Sequence, residues 1–244
     1  MSTIADTFSD LLPTHAILRD ISDLRTYGCD TSKNFTGQAS IVLLPDSTEQ
    51  VQAIVQRCMT YQLPLIPSGG RTGLCGGATA MHGEVVLSLQ RMNKILSIDA
   101  AGRSVTVEAG VTNLKLQEAV APAELFFPIH LGSWGSCHIG GNIATNAGGI
   151  HVIRYGHTRN WILSLTVVTG NGVILRTGKN LYKDNSGYDL RSLFIGSEGT
   201  LGIITEATVA LAPKPKGLTR IVCPVRDIAQ TIPLLHAMLQ SNLT

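Results

Sequence analysis

The segment Pro67-Ser68-Gly69-Gly70-Arg71-Thr72-Gly73-Leu74-Cys75-Gly76-Gly77 constrains the fold more than any other part of the chain. It follows the apolar run Leu63–Pro67, which reads as a β-strand, so the glycines stand where a strand ends and the backbone must turn. Without Cβ atoms such a loop can aim successive N–H groups at one anion. Upstream, Ile41–Leu44 reads as another strand, and Ser47 with Gln50 forms a capping-box pattern. Val51, Ile54, Val55 and Cys58 then recur at helical spacing. Strand, helix, strand and glycine loop in this order predict two parallel strands joined by a right-handed crossover. The loop lacks the Gly-Lys-Ser/Thr of a Walker A sequence and the spacing of GxGxxG. By itself it is read either as an anion cradle, pyrophosphate being a natural guest, or as a glycine-rich turn packed on a sheet.

The pattern changes after Val85–Leu89, a third strand. Lys94–Ile98, Ser104–Ala109, Ser164–Gly170, Val173–Thr177 and Gly202–Ala212 are short β runs separated by turn residues, with a helix predicted over Asn113–Ala121. Asn171-Gly172 between apolar flanks predicts a type I′ hairpin, and Asp99 to Gly102 a longer hairpin loop. Ile17, Leu18, Ile21 and Leu24 predict a helix over residues 14–27 with one buried stripe. Pro213-Lys214-Pro215-Lys216-Gly217 reads as a boundary. Beyond it Arg220–Val225 alternates like a strand, and Asp227 is placed to cap a helix through Leu239. That pair opens a further α+β unit whose strand would have an unpaired edge, so the chain reads as truncated.

A second glycine cluster spans Gly132–Gly149 and carries the side-chain donors Ser136, Asn142, Thr145 and Asn146. It suits either a flat ligand lying on small residues or a Gly/Ala-rich start of a helix. The third, Gly196–Thr205, is a tight turn entering a strand, readable as a loop that meets a purine edge or as a plain turn. The formal charge of +2 and scattered Lys and Arg exclude a nucleic-acid-binding surface. No apolar run reaches the length of a membrane span. The cysteines Cys29, Cys58, Cys75, Cys137 and Cys223 have no zinc spacing, and no secretory signal is seen, which together predict a reducing compartment, the cytoplasm or else an organelle matrix. The histidines show no paired ligand spacing; His138 stands out because it lies inside the second cluster.

Taken in order, PSGGRTGLCGG, LGSWGSCHIGGNIATNAGG with IRYG after it, and KDNSGYDLRSLFIGSEGTLGIIT resemble the vanillyl-alcohol oxidase / p-cresol methylhydroxylase superfamily of FAD enzymes. The likeness is greatest to its D-2-hydroxyglutarate dehydrogenase, D-lactate dehydrogenase and glycolate oxidase branch. The resemblance implies an α+β FAD-binding domain of two subdomains, a small parallel βαβ one and a larger, mainly antiparallel one, followed by a cap. On this chain that gives an N-terminal helical segment at 1–34, an FAD-binding domain at 35–216 with a subdomain break near 97, and the truncated start of a cap at 217–244.

The resemblance assigns Pro67, Ser68, Gly69, Gly70, Arg71, Thr72, Gly73 and Leu74 to the pyrophosphate. It assigns Gly135, Ser136, Gly140, Gly141, Asn142, Thr145 and Asn146 to the flavin and ribityl region, and Glu198, Gly202, Ile203 and Ile204 to the adenosine end or to bracing that loop. Some relatives attach the flavin through a histidine in the first loop; Arg71 holds that neighbourhood here, which implies non-covalent FAD. His130 stands where similar sequences carry an acidic residue. The branch oxidises D-2-hydroxy acids by hydride transfer to flavin N5. Its substrate arginine and metal-binding histidines lie in the cap, beyond residue 244, so this chain is expected to hold cofactor without the substrate or metal site. Its partners are then a small 2-hydroxy acid in the complete enzyme and an unidentified electron acceptor. The alternative function is a non-catalytic flavin-carrying subunit completed by a separate cap polypeptide; among partners, a second copy in a dimer or another chain completing it is expected.

Overall fold

The structure, a computed structural model, describes residues 4, 6–32, 34–217 and 221–241. The chain folds as two units, Met1–Pro213 and Lys214–Thr244.

The larger unit begins with β1 (Ile17–Leu18), α1 (Ile21–Tyr27), β2 (Ile41–Leu43), α2 (Thr48–Thr60), β3 (Leu65–Ser68) and β4 (Val85–Ser88). These strands form one sheet in the order β1-β2-β4-β3. Both β2 and β3 run parallel to β4, with Ile41 and Leu65 each opposite Val85. The crossover through α2 therefore skips one position, which β4 fills. The α2 helix starts as its capping residues require, with Ser47 Oγ accepting from the Gln50 N–H at 3.2 Å. The return bond goes one residue further out: the Asp46 N–H donates to Gln50 Oε1 at 2.9 Å. Val51, Ile54, Val55 and Cys58 are buried against the sheet, and burial pushes the Cys58 thiol up to about 11.

The helix predicted over residues 14–27 divides. Thr14–Ala16 is a 3₁₀ turn, Ile17–Leu18 pairs antiparallel with Leu43 and Val42, and the α-helix starts only at Ile21. The open edge of β2 offers ladder hydrogen bonds, including one from the Leu44 N–H to the Ala16 carbonyl at 2.9 Å. Those bonds outweigh the local helical spacing, and Ile21 is left 69% exposed.

The unit continues with β5 (Ile95–Asp99), β6 (Ser104–Glu108), α3 (Asn113–Val120), β7 (Leu125–Phe126), α4 (Ile139–Ala144), α5 (Val152–Tyr155), β8 (Ile162–Thr169), β9 (Ile174–Thr177), α6 (Arg191–Phe194), β10 (Gly202–Ala210) and β11 (Ala212–Pro213). A five-stranded antiparallel sheet runs β5-β6-β10-β8-β9, and β11 pairs with β7 in a small ribbon. Successive side chains of a strand face opposite sides, and this sheet uses both. Val167 and Ile204 join the core beneath α3 and α4, whereas their neighbours Val168 and Ile203 join the core of the parallel sheet. The buried Thr48 hydroxyl donates to Thr205 Oγ1 at 2.9 Å, tying the start of α2 to β10.

The hairpin at Asn171-Gly172 forms, but not with a type I′ turn. The Gly172 N–H bonds the Thr169 carbonyl at 2.8 Å and the Thr169 N–H bonds the Val173 carbonyl at 3.0 Å, giving a loop of Gly170, Asn171 and Gly172. Only Gly172 has positive φ (+73°), and that matches a type I turn followed by a left-handed glycine. The extra residue, Gly170, moved the turn one position earlier.

In the Lys214–Thr244 unit, Asp227 accepts from the Ala229 N–H at 3.1 Å and opens a 3₁₀ turn that leads into α7 (Thr231–Gln240). The strand predicted at Arg220–Val225 does not form: Arg220 lies outside the described residues, and 221–225 have no ladder partner among those described. An alternating segment becomes a strand only when a neighbour takes its N–H and C=O groups.

Candidate cofactor-binding site

The three glycine clusters, distant in sequence, meet. The first touches the second where Gly70 packs on the Ser136 carbonyl: a Cβ at Gly70 would run into that oxygen and lie 3.0 Å from the Cys137 Cα, so only glycine allows the approach. The second touches the third through α4, whose Ile143 and Ala144 carbonyls accept from the Gly196 and Glu198 N–H groups at 3.1 and 2.9 Å. The third returns to the first where Gly199 packs on Pro67.

These contacts enclose a cavity of about 450 Å³. Its wall carries every first-cluster residue from Pro67 to Leu74, then Gly140, Gly141, Asn142 and Thr145 from α4 and its C-terminus, and Glu198, Gly202, Ile203 and Ile204 from the third cluster. Gly135, Ser136 and Asn146 do not line it. Ser136 stands behind the loop, with its hydroxyl donating to the Ser133 carbonyl at 3.2 Å. Asn146 braces the back of α4, its Oδ1 accepting from the Arg159 N–H at 3.0 Å. Wall residues that the sequence reading passed over include Asp30, Cys75, Leu89, Ala109, Leu131 and Ser133. Asp30 had no signal, because nothing local ties it to a loop 40 residues on. His130, at the departure noted above, packs its ring against Trp134 and His151, with centroids 5.6 and 5.4 Å away.

The polar groups of this wall are arranged for a ligand that brings acceptors and negative charge. From Gly70 to Cys75 the backbone N–H groups donate to no acceptor among the described residues. Ser68 Oγ is buried without a partner among the described residues, as is His138 Nδ1. Burial, with the Arg71 guanidinium adding to it, pushes the His138 imidazole down to about 4, so it is neutral at pH 7. Arg71 lies 4.4 Å over the Tyr27 ring and makes no ion pair among the described residues. Arg71, Asn146 and Glu198 also share left-handed backbone, with φ of +56°, +48° and +50°. Such conformations cost about 1 kcal/mol or more in a non-glycine residue and persist where surroundings impose them.

The sequence pattern of the FAD binding domain family matches residues 39–178. The chain belongs to that family. Within it the chain is 45% identical over 96% of its length to the D-2-hydroxyglutarate dehydrogenase of Stutzerimonas stutzeri, of which it covers 50%. It is 39% identical over 93% of its length to the mitochondrial D-2-hydroxyglutarate dehydrogenase of Bos taurus, covering 42% of that protein. To the glycolate oxidase subunit GlcD of Bacillus subtilis it is 41% identical over 84% of its length, covering 44% of that protein. The chain thus spans about half the length of the curated relatives it matches. A solved alkyldihydroxyacetonephosphate synthase superposes on 88% of this chain with a TM-score of 0.78 at 22% identity, covering 42% of that chain. The fold is therefore the two-subdomain FAD-binding fold of p-cresol methylhydroxylase type.

FAD is the cofactor of this domain family, and the wall fits it on chemical grounds. A pyrophosphate would supply acceptors for the idle amides of residues 70–75 and for Ser68 Oγ, and the Arg71 charge would offset its own. Among the described residues no helix is long and apolar enough to cross a membrane.

Proposed function

We propose that this FAD-binding domain serves an oxidoreductase that oxidises a D-2-hydroxy acid to the 2-oxo acid, with FAD held non-covalently. The observation that carries the reading is the convergence of the three glycine clusters on one cavity whose first wall is a row of unused amides. In this reading Ser68–Leu74 hold the pyrophosphate, and Gly140, Gly141, Asn142 and Thr145 lie along the flavin and ribityl chain. Gly202, Ile203 and Ile204 meet the adenosine end, while Gly135, Ser136, Asn146 and Glu198 brace the loops. When bound, FAD supplies a hydride acceptor at N5. The protein groups hold it, exclude water from its inner face and keep the neutral His138 ring beside Arg71. The substrate class rests on relatives named as D-2-hydroxyglutarate dehydrogenases. Arg71, in place of a loop histidine, supports non-covalent attachment.

The purified chain, reconstituted with FAD, should show a flavin spectrum and lose the cofactor to acid precipitation. Failure to take up FAD would remove the reading, and flavin that stays with the precipitate would overturn the non-covalent attachment. Dye reduction by D-2-hydroxyglutarate and D-lactate, supplied to the whole enzyme, decides the substrate class. No reduction with any D-2-hydroxy acid would exclude it.

A further inference from the structure

The glycine loop does not hold its own shape. Its supports come from residues 30 and 31, outside the part of the chain that matches the family pattern. Asp30 Oδ2 accepts from the Gly76 N–H and Oδ1 from the Ser32 N–H, both at 2.8 Å. Thr31 donates from its N–H to the Gly73 carbonyl at 3.1 Å and from its hydroxyl to the Arg71 carbonyl at 3.0 Å. The second pair bears on the cavity. In a planar trans peptide the N–H points opposite to the C=O, and no peptide bond among the described residues is cis. Holding the Arg71 and Gly73 carbonyls against Thr31 therefore turns the Thr72 and Leu74 amides away from the 30–31 segment. A carboxylate in the wall of an anion site would ordinarily repel its ligand. Here both of its oxygens accept from backbone N–H groups, which fix the carboxylate in place without cancelling its charge.

We propose that Asp30 is a positioning residue for the glycine loop: its carboxylate fixes the Gly76 amide and, with Thr31, sets the amides of Thr72 and Leu74 for the cofactor's pyrophosphate. The assignment rests on the FAD reading above.

The test compares D30A, D30N and T31V in the full chain, each by FAD titration and by apo-protein melting. Asp30→Ala removes both acceptors and should weaken FAD binding about 10- to 100-fold, the range for hydrogen bonds to a charged group. Asp30→Asn keeps one acceptor and removes a negative charge, so its affinity should stay within about fivefold of wild type. Thr31→Val frees the Arg71 carbonyl and should cost about five- to tenfold. A support that is merely structural would lower the melting temperature of all three and leave the affinity of the folded fraction unchanged. Wild-type affinity in folded D30A overturns the proposal; should D30A not fold, wild-type affinity in T31V does so. If the wild-type chain takes up no FAD, the flavin reading fails. The loop-positioning claim is then judged by amide hydrogen exchange at Gly76, the loop amide bonded to Asp30, which D30A should speed more than tenfold; an unchanged rate overturns it.

Discussion

The first and second glycine clusters have similar compositions and opposite structures. Residues 69–77 stay a loop whose amides are mostly unused, whereas within Gly132–Gly149 the chain folds into α4 and many amides, among them those of Ile139, Gly140 and Asn142, find backbone acceptors. The difference lies in what each segment is tied to. The second is anchored by ladder-like bonds from the Ile139 and Gly140 N–H groups to the Val111 and Ala109 carbonyls, each at 2.8 Å, so its start is fixed on β6's extension and a helix can propagate. The first is held through its carbonyls and the Gly76 amide, and leaves the donors of Gly70 to Cys75 free among the described residues. Glycine content alone therefore does not make a ligand loop. One cluster presents amides and the other presents a smooth face, and a cofactor with a charged middle and a flat end needs both.

The sharpest way to break that comparison is Gly70→Ala. Its new methyl would meet the Ser136 carbonyl and the Cys137 Cα, forcing the two clusters apart. We expect FAD affinity to fall on the order of 100-fold or more, with about 1–3 kcal/mol lost from the apo protein, as for overpacked sites. Flavin-fluorescence titration beside a denaturant melt measures both. A variant with native affinity would show that contact between the clusters is not needed for binding.

A smaller and more selective effect is expected at Gly141, which faces the cavity, where a Cβ would meet no described atom within 4 Å beyond its chain neighbours and its own helix backbone. Alanine there meets nothing in the apo protein and favours the helix by up to about 1 kcal/mol. It would, however, stand where the flavin lies in the proposed arrangement. Gly141→Ala should therefore raise the apo melting temperature while weakening FAD about tenfold. The neighbouring Gly140→Ala serves as contrast, because its methyl would lie 2.6 Å from the Ala109 Cβ and damage the core. Unchanged FAD affinity in Gly141→Ala would move the flavin off this face.

What could be read from the sequence was whatever is decided locally. The Ser47 cap, the buried stripe of α2 and the paired strands flanking Asn171-Gly172 all depend on residues a few positions apart. The glycine clusters were legible because their composition is rare. What depended on distant partners was not legible. Ile17–Leu18 becomes a strand only because β2 lies beside it, and Leu125–Phe126 only because Ala212–Pro213 arrives much later. Residues 221–225 show the converse, alternation with no ladder partner among the described residues. In the site, Asp30 was invisible for the same reason, since its role is set by Gly76 across the fold. Even the hairpin failed in detail, because one additional glycine changed the loop length and with it the turn type.

The smallest expected effect concerns His138, where the two clusters adjoin. It stands at the N-terminal boundary of α4 without a side-chain capping bond, and its Nδ1 is buried without a partner. Burial first, and then Arg71, hold its pKa at about 4, below the ordinary imidazole value of 6.5. Well above pH 6.5 the ring is neutral in folded and unfolded chains alike and contributes no pH dependence. Between pH 6.5 and 4 the unfolded chain binds a proton that the native chain does not, so stability falls as pH falls. Between pH 7 and 5.5 this ring should remove about 1 kcal/mol from the apo protein. Denaturant melts of wild type and His138→Gln over that range isolate the contribution, since glutamine cannot take up the proton. The variant should show the shallower dependence by that amount. Identical slopes would mean that the imidazole titrates normally in the native protein and that water reaches the junction of the two clusters.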